Sequence, residues 1–82
     1  MKVLYENKYG EGLVDIDSCL SKYGSIQFDI KAEDNEYSLL FITKDFTIIL
    51  AVAKSTEDIE RIKEDLYYKL DTANVIRLQE RK

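Results

Sequence analysis

The sequence predicts an α+β fold: a mainly antiparallel sheet of five to six strands, one long helix near the C-terminus packed on one of its faces, and a short helical turn near residues 18–23. Three observations predict it. From Ser25 to Glu33 apolar and polar residues alternate, the period of a strand with one wet face. From Tyr37 to Lys54, YSLLFITKDFTIILAVAK, both parities are apolar, as in strands covered on each side. From Ser55 onward the apolar spacing changes to three and four residues, the period of an amphipathic helix.

Taken in order, KVLYE (residues 2–6) reads as a strand and NKYGEG as a turn. The segment LVDIDSCL fits either a strand through Asp17 or a helix with the stripe Leu13, Ile16, Leu20 and Tyr23. The frame KYG, four residues, DI occurs from Lys8 and again from Lys22. By analogy with Phe28-Asp29-Ile30, it favours Val14-Asp15-Ile16 as strand, with a helical turn over Ser18–Tyr23.

In SIQFDIKAE, Ile26, Phe28, Ile30 and Ala32 share one face. Asp34-Asn35 follows, two residues that tolerate positive φ, and predicts a tight hairpin turn. The next strand sets Tyr37, Leu39 and Phe41 against Leu40 and Ile42. Lys44-Asp45 is the next turn, lacking the glycine of a primed hairpin, so a longer or bulged connection is expected. FTIILAVA then sets Phe46, Ile48, Leu50 and Val52 against Thr47, Ile49, Ala51 and Ala53. Both strands are expected to be central.

Ser55 and Thr56 are candidate N-caps, and Glu57 and Asp58 suit the positive end of a helix dipole. Ile59, Ile62, Leu66, Leu70 and Ala73 form the stripe facing the sheet, with Glu57–Arg61 and Asp65–Lys69 at ion-pair spacing. Asn74 is expected to close the helix in a left-handed conformation. VIRLQ is a final edge strand, crowded by the charges of Arg77, Glu80, Arg81 and Lys82. Over residues 25–73 this order of elements resembles roadblock domains and their profilin-like relatives, although without a residue motif and without their opening helix. The resemblance implies three antiparallel strands leading into a terminal helix, and a protein that pairs into dimers.

Composition narrows the function. The chain has 82 residues, 45% hydrophobic and 34% charged, and reads as a single globular domain over 1–82, small enough for a partner to help complete its core. A net charge of −4 with scattered basic residues gives no concentrated positive field for nucleic acid. Neither an apolar leader nor a membrane-length apolar run occurs, and the expectation is a cytoplasmic protein without a membrane partner. Histidine is absent, and Cys19 is the single cysteine, reading as a small, at least partly buried side chain. The usual general base, the His-activated nucleophiles and cysteine-cluster zinc sites are thereby removed, and no enzymatic activity is expected.

Two candidate surfaces remain. If both hairpin faces are apolar and one short helical turn is too small to cover the second, Leu40, Ile42 and Ile49 form an interaction face, and a second copy or another protein would cover it. Tyr68, opposite Ile59 on the helix, is a further interface candidate. The alternative is a Ca²⁺ or Mg²⁺ site on the acidic turn Glu33, Asp34, Asn35 and Glu36, which gathers several oxygens in one place but lacks the spacing of an EF-hand loop.

Overall fold

The computed structural model describes residues 1–79. Its elements are β1 (Lys2–Asn7), β2 (Gly10–Asp15), α1 (Ile16–Tyr23), β3 (Gln27–Glu33), β4 (Glu36–Ile42), β5 (Thr47–Ala53), α2 (Thr56–Leu70) and β6 (Val75–Gln79). The class is α+β, but the single sheet of five to six strands is not formed. The strands divide into two three-stranded sheets, sheet I in the order β2-β1-β6 and sheet II in the order β3-β4-β5. The division follows from β1, which is paired on both sides, antiparallel to β2 and parallel to β6, and so has no edge left for β5.

Asp15 ends β2 because its side chain accepts the Ser18 amide and caps α1. Ile16 is therefore helical and not the strand residue that the repeated KYG frame suggests. Gly24 closes α1 at φ 80°, a left-handed position that suits glycine. The tight turn forms as expected, with Asp34 and Asn35 at φ 51° and 61°, as a type I′ hairpin requires. At the other connection, the Thr43 hydroxyl accepts the amides of Asp45 and Phe46, and the Thr43 amide donates to the Phe46 carbonyl at 2.9 Å. Thr43 thus ties a loop that has no glycine.

Strand β5 departs from simple alternation. Leu39 pairs with Ala51 and Leu40 with Ile49, so Leu50 is the extra residue of a β-bulge. The bulge shifts the parity. Ile48, Ala51 and Ala53 lie opposite Phe41, Leu39 and Tyr37 on the inner face, whereas Val52 shares the outer face with Ile49, contrary to the simple alternation. Part of the two-sided apolar pattern is this change of face. Nor is β5 central: in a three-strand order only β4 has two neighbours.

Helix α2 is capped by Ser55, which accepts the Asp58 amide, and its buried residues are Ile59 and Leu66. It ends at Leu70, so Ala73 lies beyond it, and Asp71 closes it in the right-handed region. Asn74 is not left-handed; its carbonyl accepts the Lys2 amide at 3.0 Å and opens the β1–β6 ladder. Asp65–Lys69 forms as expected, but Arg61 meets Asp58 at 3.7 Å instead of Glu57. The helix is not terminal, because β6 returns to sheet I. Strand β6 lies at an edge as expected, while Glu80, Arg81 and Lys82 lie outside the described residues.

One core joins these parts. Val3, Val14, Ile76 and Leu78 come from sheet I; Phe28, Leu39, Phe41, Leu50 and Ala51 come from sheet II; α2 adds Ile59 and Leu66, and α1 adds Ile16. Phe28 packs at a tilt against Phe41, ring centroids 5.4 Å apart, and Phe41 leads through Phe46 to Tyr23, so the aromatic chain reaches α1. Among the described residues, no helix is long and apolar enough to cross a membrane.

Candidate functional site

The outer face of sheet II is the first candidate. Cross-strand partners share a face, so Ser38 with Val52, Leu40 with Ile49 and Ile42 with Thr47 project away from the core. Gln27, Asp29 and Lys31 of β3 border them. Leu40, Ile42, Ile49 and Val52 are half-buried and stand apart from the core cluster. Helix α1 packs against β1 and β2, and α2 lies on the inner face with Leu39 and Phe41, so neither helix covers this stripe. Because the four side chains shield one another, the stripe presents less apolar area than four fully exposed residues would.

Tyr68 is 72% exposed on α2, on the side away from Ile59 and Leu66. Sheet II lies between it and Leu40, Ile42 and Ile49. The four candidate interface residues therefore make two separate surfaces and not one patch. Its neighbour Tyr67 leans edge-on against Phe28 at 5.8 Å and belongs partly to the core.

The acidic turn has partners the sequence did not suggest. Glu36 receives the Lys8 ammonium on one oxygen and the Tyr9 hydroxyl on the other, so the tip of the β1–β2 hairpin clasps the turn end of the β3–β4 hairpin. The Lys8 contact, followed by the Tyr9 hydrogen bond, holds the Glu36 carboxyl below its usual range. The same carboxylate raises the Lys8 ammonium and the Tyr9 phenol above theirs. Glu33 pairs with Lys31 at 3.0 Å, and Asp34 and Asn35 form the exposed turn. Of the other carboxylates, Asp15 serves as the α1 cap, and Asp29 accepts its own neighbour's amide from Ile30. Among the described residues, no three carboxylate or thiol side chains converge on a point where an ion could sit.

A shallow groove on the outer face of sheet I is lined by Leu4, Leu13, Glu6, Glu11 and Arg77. Glu6 and Glu11 are direct cross-strand partners, and both are exposed. Cys19 is half-buried and free.

Neither Thr43 nor the Glu36 clasp was anticipated from the sequence. Ser/Thr followed by a glycine-poor turn could have pointed to Thr43. No local signal points to Lys8 and Tyr9, which meet Glu36 only through the tertiary fold. No family model, no curated protein and no solved structure matches this chain, and its functional reading rests on the geometry above.

Proposed function

We propose that this chain is a small, non-catalytic interaction module that self-associates through the outer face of sheet II, with Leu40, Ile42 and Ile49 at the centre of the contact. The observation that carries the reading is the apolar stripe those residues form with Val52, unpartnered by either helix. Its modest area argues for weak and reversible pairing, since a stable interface buries about 800 Å² on each partner and one small sheet face offers less. Tyr68, on the opposite surface, is left for a separate contact. The alternative, Ca²⁺ or Mg²⁺ on Glu33–Glu36, has to displace Lys8 and Tyr9 from Glu36 and Lys31 from Glu33, and for that reason ranks second.

Sedimentation or light scattering over a concentration series tests the reading. Leu40→Lys is the useful variant, because Asp29 lies directly opposite and can accept the new charge without loss of fold. The parent chain is expected to associate at high micromolar concentration and Leu40→Lys to remain monomeric. A parent that is monomeric throughout that range overturns the proposal. Saturable amide shifts confined to Asp34, Asn35 and Glu36 on adding Ca²⁺ or Mg²⁺ would favour the metal site instead.

A further inference from the structure

Each sheet has two edge strands, and three of the four edges carry charge: Glu11 and Asp15 on β2, Arg77 on β6, and Asp29, Lys31 and Glu33 on β3. The fourth, β5, reads TIILAVA and has none. An uncharged, β-branched, proline-free edge is a template for pairing with another chain, and natural sheets blunt such edges. Here two devices stand in place of charge. One is the Leu50 bulge. The other is the tip of the β1–β2 hairpin: the Asn7 side-chain amide donates to the Ile49 carbonyl at 2.9 Å, near the middle of β5, across 42 positions of sequence. The tip is fixed in this position by its own contacts. Asn7 Oδ1 accepts the Tyr9 amide at 2.9 Å, and Lys8 and Tyr9 grip Glu36.

We propose that the β1–β2 tip is an intramolecular guard on the β5 edge, and that the segment it holds off is β5 of a second copy. Self-pairing fits the strand: two copies in antiparallel register bring no like charges together, whereas a foreign strand has no charge on β5 to recognise. The tip's own side-chain contacts are polar, Asn7 to Ile49 and Lys8 and Tyr9 to Glu36, while the body of β1 behind it packs with β5 in the core. Association through the edge is then limited by the fraction of molecules whose tip is open. This route uses a backbone edge and is independent of the outer-face contact proposed above.

The test is made in the Leu40→Lys background, where the outer face is closed to pairing whether or not that face is functional. Adding Asn7→Ala and Tyr9→Phe removes the Ile49 contact and the phenol's hold on Glu36. Self-association measured by sedimentation velocity is expected to strengthen about tenfold, the equivalent of one or two net hydrogen bonds. Amide hydrogen exchange over residues 47–53 is expected to rise in the dilute monomer. A further Thr47→Lys, which places a charge on the β5 edge, is expected to reverse the association. Unchanged association together with unchanged exchange overturns the guard, and so does association that Thr47→Lys leaves intact. If Asn7→Ala with Tyr9→Phe loses its near-ultraviolet dichroism, Asn7→Ala alone decides by the same two measurements, because it removes the Ile49 contact while Lys8 and Tyr9 keep their partner Glu36.

Discussion

Sheet II is a meander whose three strands follow one another in sequence, joined by the Asp34-Asn35 turn and the Thr43 loop. Sheet I is assembled from opposite ends of the chain, with Lys2 paired to Val75. The first can form from local contacts. The second has to close a loop of nearly the whole chain before its parallel pairing returns anything. Both sheets feed one core, so equilibrium stability depends on both, but their roles in the path to the folded state are expected to differ.

The largest expected effect is Phe41→Ala. Phe41 is fully buried at the centre of the aromatic chain, and its removal should cost about 3–5 kcal/mol, a large part of a small domain's total stability. If sheet II forms early, the folding limb of the chevron slows in proportion. Ile76→Ala, 1% exposed in β6, should cost about 2–4 kcal/mol and act mainly on the unfolding limb. Stopped-flow kinetics on the two variants separate the sheets directly. Equal partition between the limbs would break the distinction drawn here.

A smaller effect is expected at Gly12. A Cβ there would stand 2.7 Å from the Tyr5 hydroxyl, across the β1–β2 pair, so Gly12→Ala should push the Tyr5 ring aside at a cost of about 1–2 kcal/mol. Thermal denaturation gives the loss, and Tyr5 ring shifts in NMR report the displacement. The strain is confined to sheet I, and turn amides of Asp34 and Asn35 should not move.

The smallest effect concerns the clasp joining the two hairpins. Glu36 is lowered by Lys8 and then Tyr9, so its stabilisation is complete above its unfolded value and is lost as pH falls through the lowered folded value. Lys8 and Tyr9 are raised by Glu36, so their share is complete below their unfolded values and is lost as pH rises through the raised ones. Tyr9 ring resonances should therefore shift at two pH limits, one below the usual glutamate range and one above the usual tyrosine range. Glu36→Gln should remove the acid limit. A Tyr9 signal that titrates through the ordinary glutamate range instead would show that the clasp is not populated in solution.

The sequence by itself determined the features whose causes lie among chain neighbours. The alternation of β3, the Asp34-Asn35 turn, the faces of β4, the Ser55 cap, and the exposure of Tyr68 on a helix that buries Ile59 and Leu66 all follow from local dihedral preferences and periodicity. Tertiary structure alone decided which strands share a sheet, since β1 taking both β2 and β6 leaves β5 an edge. It also decided the Leu50 bulge, which moves Val52 outward and Ala51 inward without any mark in the composition of β5. Asn74, expected as a cap, became a ladder acceptor, and Glu36, a candidate ligand only in the alternative metal reading, has Lys8 and Tyr9 as partners. The physical reason is the same in each case: a hydrogen-bonding edge or a carboxylate is satisfied by whichever distant group the whole fold brings within reach, and periodicity carries no information about groups that are far away along the chain.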